Sequence, residues 1–419
     1  ALGLVAGLGL ANQLTCALAA PVGVLGAIRG AREARRPALA IAAALGGLAL
    51  GLVPYLYLLV APVHEATWGD LHGVRDLVHM FLRLDYGGPT NLATDRAGVP
   101  ALTSLGALAD TFGRTWLWLP ALAGLAALAL RIARGGDDTH EPRWGWAVLA
   151  ASAVIAGPVL ALRFNIAPEG PGKWVVDRFH LLPSLLVAPA VADAFDRLIA
   201  RVPQLERRAS HVLAVLAFVA IAAAALPHVA RVHVPAVEMQ ARNLLKSLPP
   251  DAVVIGIDDD VAGGVFYEQL VLGERKDVAY MHAALFGLPW YRARLVARGF
   301  AMDGVIDDLL AHGRPVFVQP AVKDAVAAFP HYRYGILMRL LPRGTRPPSL
   351  DEVVAMNEQL YATFEIPYAR PGAGDEWPAA VHDRYARTWR ALAAQLEAAG
   401  EHDRAARAAE LAREIGPEP

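Results

Sequence analysis

The chain has 419 residues, of which 55% are hydrophobic and 19% are charged, and its formal net charge is -1 at pH 7. This hydrophobic fraction is above that of typical soluble domains, while the charged fraction is too high for a protein that lies wholly within a membrane. A net charge near zero excludes a globally basic nucleic-acid-binding protein. The single cysteine, Cys16, excludes an internal disulfide bond.

Apolar runs near the length of a membrane-spanning helix, roughly 17 to 25 residues, occupy the first half of the chain. They cover residues 14–28, 37–60, 115–132, 144–162, 181–199 and 211–229. The residues from Ala1 onward are also apolar until Asn12 and Gln13 interrupt them, so about six spans or more are predicted. Because the chain begins inside an apolar run, without Met or a basic leader, we expect it to be a fragment that lacks earlier spans.

Arginines cluster after the first, third and fifth runs. They are Arg29, Arg32, Arg35 and Arg36, then Arg131, Arg134 and Arg143, then Arg197, Arg201, Arg207 and Arg208. Because short loops rich in Lys and Arg stay in the cytoplasm, the outer face is predicted to carry the loops 61–114 and 164–180 and everything beyond residue 229.

The second half of the chain alternates short strand and helix patterns. Strands are predicted at 252–257, 277–281 and 315–318, with helices at 264–272 and 289–298. This alternation favours a small parallel sheet with covering helices. A linker rich in Pro and Arg, 343–349, precedes three predicted helices at 350–364, 376–399 and 402–415.

The predicted fold is therefore a membrane all-α bundle, followed by a soluble α/β domain and a C-terminal helical tail. The corresponding domains are residues 1–229 for the transmembrane bundle, 230–348 for the α/β domain on the outer side and 349–419 for the helical hairpin tail.

The first outer loop contains Trp68 and Asp70 ahead of an amphipathic segment. Apolar residues recur at helical spacing from 71 to 82, and Asp70 is placed to cap the first turn. The cationic side chains gather on another side of that helix: His72, Arg75, His79 and Arg83. One interpretation is an interfacial helix that lies flat on the bilayer. The other is that the cations bind the phosphate of a lipid-linked substrate, which suits the fork of arginine.

The second outer loop carries cations on the face where the charge rule does not expect them. Lys173 and Arg178 lie close to Trp174 at the mouth of a span. Polar groups in such a place indicate a functional site, and Arg178 is the first choice for a phosphate ligand. The alternative is simple anchoring, in which Arg178 extends to the interface and pairs with Asp177.

Asn12, Gln13 and Thr15 are polar groups in apolar surroundings. They either bond neighbouring helices and satisfy the backbone at a helix break, or they line a polar cavity.

An acidic triplet, 258–260, follows the first predicted strand, at the edge where ligand sites of open α/β sheets gather. It either binds a divalent cation or forms an acidic turn that caps the next helix. The histidines show no H-E-x-x-H spacing and the chain has no G-x-S-x-G motif. Hydrolase chemistry therefore has little support, and no metal ligands are predicted.

Four segments, in this order, together resemble one family. They are Gly7-Leu8-Gly9-Leu10-Ala11-Asn12-Gln13-Leu14-Thr15 followed by Pro21; Thr67-Trp68-Gly69-Asp70 with Arg83 and Tyr86-Gly87; Arg178-Phe179 before Leu182-Pro183; and Leu248-Pro249-Pro250-Asp251-Ala252 leading through Asp258-Asp259-Asp260 to Tyr267, Asp277-Val278 and Pro289-Trp290-Tyr291. Over most of its length the chain resembles the bacterial multi-spanning proteins of a domain-of-unknown-function family. That family is related to the vertebrate transmembrane O-mannosyltransferase that modifies plexin-type receptor domains.

The resemblance implies a GT-C type glycosyltransferase of the bacterial inner membrane, with its C-terminal domain on the periplasmic side. Such an enzyme moves a sugar, mannose among the candidates, from a polyprenyl-phosphate donor to a protein or glycan acceptor. Its implied partners are membrane lipid, the lipid-linked sugar and that acceptor, without nucleic acid and without a defined cofactor. Inversion at the sugar needs a carboxylate base and cations that hold the departing phosphate.

The residues assigned to this site are Asp70 as the catalytic carboxylate, and Arg178, Arg83, Arg75, His79, Lys173, Trp68, Asn12 and Gln13 around the substrate. The chain departs from the family at two points. The family's catalytic acid and His-Pro-Pro-Gly motif, expected in its first outer loop, would fall before Ala1. The second departure is Gln13, which stands where the family usually has His and so weakens a proton-transfer role there.

Two other hypotheses remain open. A non-catalytic membrane scaffold would bind envelope proteins through the outer domain, with its arginines pointing to lipid. The transferase instead predicts a cavity flanked by Arg75, Arg83 and Arg178. A transporter is disfavoured because no second half repeats the first and charges within spans are scarce.

Overall fold

The structure, a computed structural model, describes all residues except 87, 89–98, 135–142, 165 and 202–206. Gly87 of the family resemblance therefore lies outside the described residues. The described chain is mostly helical and divides into two compact units. Unit 1 comprises Ala1–Pro62 and Leu71–Ala225, and unit 2 comprises Val63–Asp70 and Leu226–Pro419.

Unit 1 is built from helices. They are α1 (Leu2–Asn12), α2 (Ala20–Glu33), α3 (Pro37–Leu52), α4 (Val74–Phe81), α5 (Ala101–Trp116), α6 (Leu119–Arg134), α7 (Arg143–Val154), α8 (Leu160–Arg163), α9 (Pro171–Asp177), α10 (Leu181–Ala200) and α11 (Arg207–Val232), whose last turns belong to unit 2. Tighter 3-10 turns lie at Leu14–Ala19, Val53–Leu59, Leu84–Tyr86 and Arg178–His180, and a π-helical turn, Ile155–Val159, joins α7 to α8.

Five helices of the described chain are long and apolar enough to cross a membrane. They are Leu14–Glu33, Pro37–Leu59, Arg143–Arg163, Gly172–Ala200 and Ala214–Ser247. A sixth span is obtained if α5 and α6 count as one, although their axes meet at 105°. The third predicted run, 115–132, therefore contains a sharp corner. Leu117 and Trp118 form it with φ angles of 56° and 53°, a conformation that ends a helix.

The interruption predicted at Asn12 and Gln13 is confirmed, and it reverses the direction of the chain. α1 ends at Asn12, Gln13 is extended, and the chain returns through the 3-10 turn into α2. A Cβ atom placed on Gly9 would lie 3.6 Å from Cys16, and one placed on Gly26 would lie 3.4 Å from Leu2. These contacts make α1 and α2 an antiparallel hairpin.

Glycines allow two further helix pairs in unit 1 to approach closely. Gly3 and Gly7 of α1 pack on α3 where Gly47 and Gly51 lie, so both helices carry a G-x-x-x-G motif at the contact. α6 packs on α10, with the ion pair of Arg131 and Asp193 between them at 2.5 Å and Gly124 against Val191. At these helix contacts, small residues and the Arg131–Asp193 ion pair thus hold the bundle together. Large apolar side chains are instead exposed on its outside.

Unit 2 is an α/β unit. Its elements are α12 (Ala236–Ser247), β1 (Val253–Gly256), α13 (Asp259–Phe266), a π-helical turn (Tyr267–Val271), β2 (Ala279–His282), a 3-10 turn (Ala283–Leu285), α14 (Pro289–Ala297), α15 (Val305–Ala311), β3 (Val316–Val318), α16 (Lys323–Ala328), β4 (His331–Tyr334), β5 (Leu337–Leu340), α17 (Leu350–Ala362), α18 (Glu376–Ala398) and α19 (His402–Ile415).

The five-stranded sheet has the order β2-β1-β3-β5-β4. β1 is parallel to β2 and β3, which confirms the three predicted strands and their direction. β5 runs antiparallel to β3 and β4, so the expectation of an all-parallel sheet was wrong. The added strands form a tight hairpin, which Gly335 permits with a φ of 57°.

Both faces of the sheet are buried. Val254 and Phe317 lie in a core covered by α12 and α18, while Ile255 and Val318 lie in a second core covered by α14 and α15. The three predicted C-terminal helices are confirmed, and Ser349 forms a capping box with Glu352 at the start of α17. The division at residues 348 and 349 stays a prediction, since α18 also contributes Val381 to the core beside the sheet.

Candidate functional site

Helix α9, in the second predicted outer loop, places one cation and one carboxylate on the same side. Gly170, with a φ of 50°, turns the chain into the helix, and Pro171 occupies its first turn. Lys173 and Asp177 are four residues apart and therefore face the same way. The Lys173 ammonium group lies 3.0 Å from the Asp177 carboxylate, which is mostly buried.

Helix α5, from the first predicted outer loop, supplies the other half of the site. Its buried side includes Leu108 and Thr111, and the neighbouring Asp110 and Arg114 stand one helical turn apart. Arg114 lies 2.9 Å from Asp177 and 3.1 Å from Asp110, while Lys173 lies 3.3 Å from Asp110. Two carboxylates thus alternate with two cations, and their charges balance.

A buried histidine completes this group. The Thr111 hydroxyl lies 3.0 Å from the Nδ1 atom of His180 and 3.2 Å from the Asp177 carboxylate. His180 is only 2% exposed, and its Nε2 atom is buried without a hydrogen-bond partner among the described residues. We call the set Asp110, Thr111, Arg114, Lys173, Asp177 and His180 the Asp177 cluster. It joins the two predicted outer loops through side chains.

Arg178 differs from the cations of the Asp177 cluster. Its guanidinium lies 5.1 Å from the ring centre of Phe179, and the residue is exposed. Within the part of the chain that the structure describes, Arg178 makes no ion pair, so the expected pairing with Asp177 was wrong. Asp177 instead bonds Lys173 and Arg114. The assignment of Arg178 to a phosphate group therefore stays a prediction.

The reversal at Asn12 and Gln13 belongs to the same end of unit 1. Leu18, in the 3-10 turn that follows Gln13, packs against the cluster of Leu160, Phe164 and Val176, and Phe179 packs against the same cluster. Asn12 is exposed and Gln13 is half-buried. Their assignment to a substrate site stays a prediction.

The amphipathic helix of the first loop is shorter than predicted. α4 begins at Val74 with Gly73 as its N-cap, so the prediction that Asp70 caps it was wrong. The carboxylate of Asp76 instead accepts a hydrogen bond from the backbone N–H of His72. Val74 and Val78 are exposed on this helix, as an apolar face in contact with lipid would be.

The cations of this helix have different partners. His79 lies 2.9 Å from Asp85, whereas Arg75 and Arg83 are exposed and make no ion pair with any described residue. Arg83 has a φ of 53° just beyond the helix. Arg75 and Arg83 thus remain candidates for binding an anion, whereas His79 already has a carboxylate partner within the chain.

The segment that contains Trp68 and Asp70 belongs to unit 2. Arg294 of α14 donates hydrogen bonds to the carbonyl oxygens of Thr67 (2.6 Å) and Gly69 (2.7 Å). The rings of Trp68 and Trp290 lie 5.7 Å apart. Burial lowers the pKa of Arg294, and the Asp70 carboxylate opposes that shift. These contacts give Trp68 and Asp70 a packing role in unit 2.

The acidic triplet follows β1 as predicted, but its carboxylates are already engaged. Arg384 of α18 bonds Asp260 through two nitrogens at 2.7 and 2.8 Å and lies 3.2 Å from Asp258. Gln319, directly after β3, donates to Asp258 as well. Asp258 is the N-cap residue of α13 and Asp259 and Asp260 lie in its first turn, as the interpretation of an acidic capping turn predicted, although the Asp258 side chain makes no cap hydrogen bond. Among the described residues, no three His, Cys, Asp or Glu side chains could hold a metal ion.

Sequence reasoning named Lys173 and Asp177 in the second loop but missed Asp110, Thr111 and Arg114 in the first. Their signal is a polar pair four residues apart inside an otherwise apolar helix. Comparison with protein-family models, with curated proteins and with solved structures gives no match to this chain.

Proposed function

We propose that this chain is a multi-pass membrane protein whose apolar helices cross the bacterial inner membrane. The support is the set of five to six apolar helices, together with large hydrophobic side chains exposed on their surfaces. The arginine-rich loops then lie in the cytoplasm, and the Asp177 cluster and unit 2 lie on the outer side.

We further propose that the outer face binds a polyprenyl-phosphate sugar and that the protein is a GT-C type glycosyltransferase, as its resemblance implies. The observation that carries this proposal is the state of Arg178, which is exposed and makes no ion pair with any described residue, beside the Asp177 cluster, whose two carboxylates and two cations balance. A cation without an internal partner stabilises the negative charge that develops on a departing phosphate. Its planar fork suits two phosphate oxygens at once.

Asp110 replaces Asp70 as the preferred carboxylate in this proposal. Asp70 lies in the segment that packs on α14, whereas Asp110 belongs to the Asp177 cluster next to Arg178. The side chain of Asp110 is 49% exposed, so an acceptor hydroxyl can reach it. Arg114 and Lys173 fix its position, and positioned carboxylates act as general bases in sugar transfer.

The test is transfer of labelled sugar from a polyprenyl-phosphate donor by the purified full-length gene product. Arg178→Ala is expected to slow transfer roughly 10²- to 10³-fold, the usual effect of removing one stabilising donor at a charged transition state. Arg35→Ala, which removes an exposed arginine from a predicted cytoplasmic loop, serves as the control and should transfer normally. Equal rates for the Arg178→Ala variant and the native protein would contradict the assignment of Arg178.

A scaffold is the second candidate, and one observation favours it. A cavity of about 490 Å³ opens between α17, α18 and α19, and Tyr361, Trp389, Leu411 and Ile415 contribute to its wall. Helical hairpins use such grooves to bind segments of other proteins. Absence of sugar transfer by folded, full-length protein from any polyprenyl-phosphate donor would make this candidate the better one.

A further inference from the structure

Strand β5 carries a half-buried arginine whose charge is not neutralised by any described residue. Arg339 makes no ion pair and donates no side-chain hydrogen bond within the described chain, and its Nη1 atom is buried. Arginine stays charged in proteins. A desolvated charge without a counter-charge is strongly unfavourable, so this position needs an explanation.

Aromatic side chains surround the guanidinium of Arg339 on one face of the sheet. Phe317 is its register partner on β3, and the guanidinium lies 4.8 Å from the centre of that ring. Tyr332 is its register partner on β4. Tyr334 follows on the same face two residues later, because side chains alternate along a strand. The rings hold the guanidinium in place by stacking but provide no negative charge.

The two tyrosines differ in what their hydroxyls bond. The Tyr334 hydroxyl donates to the carbonyl oxygen of Ser247 at 2.7 Å. The Tyr332 hydroxyl has no hydrogen-bond partner among the described residues. Burial raises the pKa of Tyr332, and Arg339 opposes that shift, which places the hydroxyl within electrostatic range of the guanidinium. Tyr332 therefore remains a protonated donor near neutral pH.

We propose that Arg339 and Tyr332 form a binding site for an oxyanion, either a carboxylate or a phosphate group. The guanidinium offers a planar pair of donors, which matches two oxygens of such a group. The Tyr332 hydroxyl adds a third donor from the neighbouring strand. Both residues are half-buried, so part of each side chain is open to solvent, while the Nη1 atom of Arg339 is itself buried. Partial desolvation strengthens the attraction for an anion.

Arg314 shows the opposite arrangement in the same unit. It also stacks on a phenylalanine, with its guanidinium 5.4 Å from the ring centre of Phe300. Its guanidinium nitrogens donate to the carbonyl oxygen of Asp251. An arginine that stacks on an aromatic ring can therefore still donate hydrogen bonds to an acceptor within the chain. Arg314 is the matched control for Arg339.

The anion site does not depend on the proposed sugar transfer, since it lies in unit 2 and its test is a binding measurement. Equilibrium dialysis of the purified full-length protein with labelled inorganic phosphate, and separately with labelled acetate, measures the two anion classes. The measurement is made in an Arg178→Ala background, which removes the other proposed phosphate ligand, and there we expect saturable binding of one equivalent of at least one anion. Arg339→Gln should abolish that binding, and Tyr332→Phe should weaken it about tenfold, in line with the loss of one hydrogen bond to a charged group.

The Arg314→Gln control should bind as the native protein does. Circular dichroism of each variant establishes that it is folded. Because Tyr332→Phe removes one oxygen atom, it keeps the test valid if Arg339→Gln does not fold. Absence of saturable binding of either anion to the native protein would overturn the proposal. The proposal would also be overturned if Tyr332→Phe and a folded Arg339→Gln variant both bound the anion as strongly as the native protein.

Discussion

Arg384 joins parts of unit 2 that are far apart in the sequence. It extends from α18 to Asp258 and Asp260 beside β1, and it also donates to Gln240 of α12. The side chains of Arg384 and Asp260 are 13% and 8% exposed. Removal of one partner from such a buried pair leaves the other charge desolvated and unpaired. This single arginine therefore ties the helical tail to the sheet.

We predict that Arg384→Ala lowers the free energy of unfolding of unit 2 by about 3–5 kcal/mol, the usual result of breaking a buried ion pair from one side. Arg387→Ala is the control on the same helix, because the Arg387 side chain is 51% exposed in its pair with Asp383. Exposed pairs contribute about 0–1 kcal/mol. Chemical denaturation followed by tryptophan fluorescence measures both, and equal losses would contradict the prediction.

His382 makes the stability of unit 2 sensitive to pH. Its ring is buried, Nδ1–H donates to the carbonyl oxygen of Ile415 at 2.6 Å, and burial lowers the pKa of the imidazole below 6.5. The folded chain therefore holds His382 neutral, while the unfolded chain protonates it near pH 6.5. Its contribution to stability is complete above pH 6.5 and falls as the pH drops below that value.

The measurement is the free energy of unfolding at pH 7.5 and pH 5.5 for the native protein and for His382→Gln, which cannot take up a proton. We expect the native protein to lose up to about 1.4 kcal/mol more per pH unit than the variant in this range. The other histidines are common to both proteins, so their titration cancels in the difference. Identical pH profiles would show that His382 takes up its proton at the same pH in the folded and the unfolded chain, which would contradict the prediction.

At the scale of elements, α1 and α3 approach each other backbone to backbone through their glycines. A Cβ atom on Gly7 would overlap the carbonyl oxygen of Leu48, and one on Gly3 would overlap that of Ala44. Close backbone approach is how helices associate in lipid, where apolar side chains gain nothing from leaving the solvent. The two G-x-x-x-G motifs are visible in the sequence, but their pairing depends on the reversal at Asn12.

We predict that Gly7→Ile separates α1 from α3 and lowers stability by about 1–3 kcal/mol, the range for overpacking a contact. Gly46→Ile is the matched control, since a side chain there meets no other atom within 4 Å. Its effect should stay within about 0.5 kcal/mol, as for surface substitutions. Unfolding in mixed micelles by titration with dodecyl sulfate measures both variants. A larger loss at Gly46 than at Gly7 would contradict the helix pairing.

The sequence predicted the elements whose pattern is local. Val253 to Gly256 reads as a buried strand from its own residues, and His402 to Ile415 reads as a helix from its spacing. The hairpin of β4 and β5 escaped prediction, because His331-Tyr-Arg-Tyr mixes charged and aromatic residues on an edge strand. α5 escaped as well, since its residues up to 114 were assigned to the first outer loop, and the corner at Leu117 lies inside the apolar run 115–132.

At the scale of the whole molecule, the candidate site could be predicted only in part. Arg178 was chosen as a candidate because a cation on the predicted outer face is unusual in itself. The partners of Asp177 could not be found, since Arg114 is more than 60 residues away and the contact depends on how α5 packs. Asp70 was assigned wrongly as a cap, because its place depends on Arg294, which no local pattern connects to it.

Orientation in the membrane is the property of the whole chain that the arginine distribution predicts. On a Cys16→Ala background, we expect Asp303→Cys to react with a membrane-impermeant maleimide in intact cells, since the Asp303 side chain is fully exposed in unit 2. Its ion pair with Arg292 is a surface pair, so its loss should leave the fold intact. Arg35→Cys, in the first arginine-rich loop, should react only after the membrane is permeabilised.

The reverse pattern would place unit 2 in the cytoplasm. The proposed sugar transfer would then be contradicted, because it requires unit 2 on the outer face. Reaction at both positions in intact cells would mean that the chain crosses the membrane an even number of times between them. The bent pair of α5 and α6 would then have to enter and leave the membrane on the same side.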